Sequence, residues 1–152
     1  MQDDNVMAAF EAFVQESLGL ANEFVDGAEE VEKIWVYASM QDKVLMAAVF
    51  YQVDGKAYDA PDVEAAIGRE LDTQSMLLSL YTELNNEVNQ LYSAFRESGQ
   101  VPSRIIVEYD AATQSMNADF NHDSILLGPN DGFADAMDRW LAHLQETGEA
   151  SA

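Results

Sequence analysis

The sequence IWVYASMQDKVLMAAVFY, residues 34–51, decides the fold of this chain. It holds two runs rich in β-branched and aromatic residues, 34–38 and 44–51, separated by the polar residues 41–43. Such runs predict two strands joined as a hairpin. Both strands are apolar on both faces, which predicts that they are covered on each side, by helices or by another chain.

Periodicity in the rest of the chain predicts helices around this hairpin and a second hairpin after the longest helix. The predicted elements are, in chain order, a helix capped by Asp3 or Asp4 that closes around 27, strands at 34–38, 44–51 and 56–58, a helix from about 72 to 97, strands at 104–110 and 115–122, and a helix after 131.

The order α-β-β-(β)-α-β-β-α contains hairpins and no strand–helix–strand crossover. It predicts an α+β fold, with an antiparallel sheet of four to five strands from two hairpins packed with three helices. A length of 152 residues and an apolar content of 48% are typical of one globular domain. We therefore expect residues 1–152 to form a single domain with a frayed tail from about 148.

Charge is the most unusual property of the sequence, since 28 acidic and 7 basic residues give a net charge of −21. Such a chain repels phosphate, so we expect it to bind neither nucleic acid nor an anionic membrane, but to associate readily with a basic protein.

No run approaches 18 apolar residues, and the acidic N-terminus, Met1 to Asp4, does not resemble a secretory signal. These features predict a soluble, cytoplasmic protein.

Catalytic and metal-binding motifs are missing from the sequence. It has no cysteine, no glycine-rich phosphate loop, and no zinc-ligand spacing around His122 or His143. Asp119, Asn121 and Asp123 match the first three ligand positions of an EF-hand loop, but its glycine and final glutamate are absent, so a strand end explains them better. We therefore expect no enzymatic activity, no cofactor and no metal site.

The second predicted hairpin has a polar, net-negative face. Strand alternation places on its core face Ile105, Val107, Tyr109, Met116, Ala118 and Phe120. The opposite face carries Arg104, Ile106, Glu108, Asp110, Asn117, Asp119, Asn121 and Asp123. This face is either solvated or a surface for a basic partner, and the large net charge favours the partner.

The candidate partner-binding residues come from two places. The first set is acidic and consists of Glu108, Asp110, Asp119 and Asp123 on the second hairpin, with Asp131 and Asp135 at the last helix. The second consists of Trp35 and Tyr37 on the first hairpin, because aromatic residues are preferred interface anchors. The alternative for Trp35 and Tyr37 is that they lie in central strands under two helical layers.

The chain resembles the YezG-like family of bacterial immunity proteins. The resemblance rests on the order and spacing of IWVYA (34–38), VFY (49–51), FRESGQ (95–100), Pro102, IIVEYD (105–110) and MNADFN (116–121), which span about ninety residues. It implies a stoichiometric antitoxin that neutralises a cognate polymorphic toxin domain, often a nuclease, delivered by contact-dependent growth inhibition or a specialised secretion system. It implies no catalytic residues.

Two other functions fit the same sequence. Class I type III secretion chaperones are similar in size, acidity and element order, and they bind an effector segment as obligate dimers. An acidic nucleic-acid mimic that occupies a DNA-binding protein is a third candidate. We expect the free protein to be a monomer or weak dimer, because two chains of charge −21 repel each other.

Overall fold

Five antiparallel strands form one sheet in a computed structural model that describes residues 2–68, 70–71 and 73–149. The strands are β1 (Val31–Ser39), β2 (Met46–Val53), β3 (Lys56–Asp59), β4 (Arg104–Asp110) and β5 (Ser115–Asn121). Their order in the sheet is β3-β2-β1-β4-β5, so the two hairpins lie side by side and β1 is central. The predicted α+β fold with an antiparallel sheet is confirmed.

Helices cover both faces of this sheet. They are α1 (Gln2–Phe24), α2 (Ala60–Ile67), α3 (Thr73–Ser98) and α4 (Phe133–Thr147). Helices α1 and α3 pack against each other on one face, and α4 packs on the other. The predicted start of the long helix near residue 72 and the end of the predicted frayed tail, 150–152, lie outside the described residues.

The larger core lies between the sheet and the pair of helices α1 and α3. Helix α3 contributes the predicted stripe at four- and three-residue spacing, of which Leu84, Val88 and Leu91 are fully buried. Tyr51 of β2 is buried in the same core, where its hydroxyl donates a hydrogen bond of 2.7 Å to the backbone oxygen of Ala21. This bond satisfies the polar end of a buried ring.

A smaller, mostly aromatic core lies between the sheet and α4. Trp140 of α4 packs its ring against Tyr37 of β1, with centroids 5.3 Å apart, and against Phe50 of β2, at 5.0 Å. Trp35 and Ile106 complete the cluster. The first hairpin is therefore covered on both faces by helices of its own chain, which confirms one of the two alternatives for its apolar strands.

Helix α2 was not expected, because the predicted fold has three helices and Pro61 indicated only a break after β3. Asp59 caps this helix by accepting a 3.0 Å hydrogen bond from the backbone N–H of Asp62, and Pro61 lies in its first turn. Gly68 ends it in the left-handed conformation, with φ of +85°.

Strand β5 departs from the predicted core face of the second hairpin. Met116 and Phe120 are 44% and 43% exposed, and Ala118 is also exposed. They do lie on the same face as Ile105 and Val107, but β5 is at the edge of the sheet, where α1 and α3 cover little of it. Their prediction as core residues is therefore wrong.

Ile106 is more buried than predicted, because strand alternation places it on the polar face of the hairpin. It is 1% exposed and lies in the aromatic cluster beneath α4. Helix α4 therefore covers the middle of a face that strand alternation alone predicts to be open to solvent.

Truncating Trp140 should detach α4 from the sheet. Because this side chain is 3% exposed and packs on two aromatic rings, we expect Trp140→Ala to lower the free energy of unfolding by about 3–5 kcal/mol. Urea denaturation followed by circular dichroism measures this. Leu127→Ala is the control, since Leu127 is 80% exposed and its loss should change the stability by less than about 0.5 kcal/mol.

Glu87 of α3 lies in a repulsive cluster with Glu16 and Glu83. Partial burial, and then these two carboxylates, raise the pKa of Glu87 above its ordinary value. We expect Glu87→Gln to stabilise the protein by about 0.2–0.5 kcal/mol at neutral pH, because Glu83 and Glu87 are four residues apart on one helix. Denaturant titration at low salt checks this.

The gain from Glu87→Gln should disappear in acid. A raised carboxyl pKa in the fold means that protonation favours the folded state, so the wild-type chain recovers this stability as the pH falls. Glu11→Gln is the control, because residues three and four positions from Glu11 are uncharged. An equal gain from Glu11→Gln would show that net charge alone, and not the cluster, sets the effect.

Candidate functional site

A groove of about 490 Å³ lies beside α4, on the part of the sheet that α4 leaves open. Its lining consists of Lys33, Ile106, Glu108, Asn117, Ala118, Asp119, Gly148 and Glu149. We call it the acidic groove. Asp119 of β5 is directly opposite Ile106 of β4, so Glu108 and Asp119 are diagonal neighbours on one face of the sheet.

Glu108 is held in place by its own chain. The indole N–H of Trp35 donates a 2.7 Å hydrogen bond to its Oε1 atom, and the ammonium group of Lys33 lies 3.8 Å from the same oxygen. The Glu108 side chain is 24% exposed. This carboxylate therefore serves first to satisfy a buried tryptophan N–H and is only partly available to a partner.

Two carboxylates of the groove, those of Asp119 and Glu149, have no bonding partner among the described residues. Within the described residues, neither carboxylate accepts a hydrogen bond or pairs with a basic side chain. Asp119 projects from a strand that is hydrogen-bonded to β4, so its position is rigid. Glu149 follows the end of α4 and is exposed. Glu149 is not among the predicted contact residues, because the sequence predicts a frayed tail from about residue 148.

Asp110 and Asp123 lie at opposite ends of the second hairpin. Asp110 accepts hydrogen bonds of 2.9 and 3.4 Å from the backbone N–H groups of Ala112 and Thr113, which closes the turn. Asp123 is exposed and follows the far end of β5. The seven residues of β5 span roughly 20 Å, so the structure brings Glu108 and Asp119 together and separates Asp110 and Asp123.

Asp131 and Asp135 stabilise the start of α4. Both oxygens of Asp131 accept hydrogen bonds from the Arg139 guanidinium, at 2.7 and 2.6 Å. These bonds, with one from the Leu127 N–H, hold the pKa of Asp131 below its ordinary value. Asp135 caps α4 by accepting a 3.0 Å hydrogen bond from the Gly132 N–H. Asp131 and Asp135 thus each have a local structural role.

Trp35 and Tyr37 lie in the interior. They are 2% and 0% exposed, beneath α4, and burial raises the pKa of the Tyr37 hydroxyl above its ordinary value. Neither ring is at the surface of this structure, so neither belongs to the groove that a partner meets.

The EF-hand-like positions do not form a loop. Asp119 and Asn121 belong to strand β5, and the Asn121 side-chain oxygen accepts a 3.0 Å hydrogen bond from the Asp123 N–H. Across the described residues, no three histidine, aspartate or glutamate side chains are grouped closely enough to hold a metal ion.

None of the helices in the described part of the chain is both long and apolar enough to cross a membrane.

The chain matches no protein-family model, and no curated protein is significantly similar to it.

Glu108 and Asp119 should respond differently to truncation. Glu108→Ala leaves the buried Trp35 N–H without an acceptor, so we expect it to destabilise the protein by about 1–3 kcal/mol. Asp119→Ala should change the free energy of unfolding by less than about 0.5 kcal/mol, since it removes no internal contact. Thermal and urea denaturation of both variants measure this. Equal losses would show that Asp119 is also a structural residue.

Proposed function

We propose that this chain is a cytoplasmic immunity protein that binds a cognate, basic toxin domain and neutralises it stoichiometrically. The observation that carries the proposal is an excess of carboxylates that the fold does not use. Seven basic residues cannot neutralise twenty-eight acidic ones, and two unpaired carboxylates, Asp119 and Glu149, border one groove. The toxin as partner comes from the resemblance to the YezG-like family.

Inhibition would occur by occlusion. Clustered carboxylates attract a basic domain and raise association rates toward about 10⁸ M⁻¹s⁻¹ at low salt, compared with about 10⁵–10⁶ M⁻¹s⁻¹ for a neutral pair. If the toxin is a nuclease, Asp119 and Glu149 would occupy the surface that otherwise receives phosphate groups. In this proposal the chain has no activity or cofactor of its own, and it binds neither nucleic acid nor membrane.

The alternative is a class I type III secretion chaperone. Such a chaperone holds an unfolded effector segment on apolar grooves. In the described residues, the exposed large apolar side chains are spread over several elements and loops, namely Met7, Val44, Leu78, Met116, Phe120 and Leu127. The apolar strands of the first hairpin are covered by α3 and α4, which supports the immunity protein over the chaperone.

Genomic context and co-expression test the two functions directly. We expect a neighbouring gene to encode a toxin with a basic C-terminal domain, and co-expression of this chain to restore growth of cells that produce that domain. A secretion-system operon in its place, together with a dimer that stays intact at nanomolar concentration in light scattering, would support the chaperone.

Charge reversal at the groove should slow binding of that toxin domain. We expect Asp119→Lys with Glu149→Lys to lower the association rate at least about tenfold at low salt, and much less at high salt, because screening already removes the attraction. Stopped-flow mixing measures both rates. The control is Glu16→Lys with Glu83→Lys, which changes the net charge equally on the outer face of α1 and α3. If both pairs of substitutions slow association equally, the effect comes from net charge, and the acidic groove is not the interface.

A further inference from the structure

Strand β5 leaves one long edge of the sheet open. It pairs with β4 on one side, and in the described part of the chain no strand pairs with its other side. Five of its seven residues are exposed. At the opposite edge of the sheet, β3 has four residues and leads directly into α2. The free backbone groups of the molecule are therefore concentrated along β5.

Edge strands usually carry devices that prevent pairing with other chains, such as lysine, proline, a bulge or a covering loop. The β5 sequence SMNADFN contains neither lysine nor proline. Its register with β4 runs without a shift from Arg104–Asn121 to Asp110–Ser115. Asp119 is its single charged side chain. The edge is thus regular and little protected.

The two faces of β5 differ in chemistry. On the side of α1 and α3, the strand carries the exposed residues Met116, Ala118 and Phe120. The ring of Phe120 packs against that of Phe10, with the centroids 5.1 Å apart. On the side of α4, Asn117 and Asp119 face the acidic groove. A strand laid along this edge would therefore meet apolar side chains on one face and carboxylates on the other.

We propose that β5 accepts an extended segment of a basic protein as a sixth strand of the sheet, and that this segment alternates apolar side chains with lysine or arginine. Backbone hydrogen bonds to β5 supply the pairing. The apolar side chains pack on Met116 and Phe120, and the basic ones reach Asp119 and the acidic groove. This inference deepens the proposed function and rests on it, because it specifies how the basic partner is bound.

A second copy of this chain fits the edge poorly. Antiparallel pairing of β5 with itself about Ala118 places the two copies of Asp119 diagonally, at about 7–8 Å. It also brings the acidic grooves of two chains, each of charge −21, onto one face of the joined sheet. A basic strand removes this repulsion, so charge complementarity selects the basic partner over self-association.

A synthetic peptide probes the edge without the natural partner. The probe is a nine-residue peptide that alternates valine and lysine. The control has the same composition with its lysines in one block, so its charge is equal but its pattern cannot match the two faces. Binding is measured by calorimetry, and the amides are followed by NMR hydrogen exchange. We expect slowed exchange along β5 with the alternating peptide and binding at least about tenfold weaker for the blocked one.

Two matched pairs of substitutions distinguish the effect of the β5 edge on peptide binding from the effect of net charge. Met116→Lys with Ala118→Lys places two lysines on the exposed apolar side of β5, where they should weaken binding of the alternating peptide at least about tenfold. Ala111→Lys with Ala112→Lys adds the same charge at the exposed turn of the hairpin and should change binding much less.

Three results would overturn the inference. They are equal affinity for the two peptides, unchanged exchange at β5 in the bound state, and concentration-dependent protection of β5 without peptide, which would make the edge a self-association surface.

Failure of this inference can be distinguished from failure of the proposed function. If the chain neutralises a toxin while hydrogen exchange of the β5 amides stays unchanged, this inference alone is wrong. If the alternating peptide pairs with β5 but no neighbouring gene encodes a toxin, the immunity function alone is wrong.

Discussion

The packing of Trp140 against Tyr37 and Phe50 determines which part of the sheet this protein can offer to a partner. This contact fixes α4 over β3, β2, β1 and the middle of β4, so the aromatic residues of the first hairpin are buried within the chain. The outer part of β4 and all of β5 lie beyond the reach of α4. The groove therefore follows from where this one helix ends.

The acidic residues fall into two groups that composition does not distinguish. Glu108, Asp110, Asp131 and Asp135 accept hydrogen bonds that hold a tryptophan, a turn and the start of a helix. Asp119 and Glu149 accept no such bond from any residue that the structure describes, and they add to the repulsion among the acidic side chains. A basic partner removes part of that repulsion when it binds, so binding should also stabilise the fold of this chain.

The sequence predicted the strands and the long helices because these depend on local periodicity and turn residues. Helix α2 is not predicted although its signals are present, because a proline after a strand indicates a break, whereas Pro61 stands in the first turn of a helix capped by Asp59. Alternation correctly grouped Met116 and Phe120 with Ile105, and Ile106 with Glu108. It could not show that α4 covers Ile106 whereas α1 and α3 leave Met116 and Phe120 partly exposed, because that depends on where these helices lie.

Both tryptophans of the chain, Trp35 and Trp140, belong to the cluster beneath α4, and the core between the sheet and the helices α1 and α3 has none. The tryptophan fluorescence of this folded protein therefore arises from one layer, the cluster between the sheet and α4. The Trp35 indole donates its 2.7 Å hydrogen bond to a carboxylate oxygen of Glu108, a residue that lines the acidic groove, so part of this signal arises beside that groove. An occupant of that groove would thus change the emission spectrum without carrying any chromophore of its own.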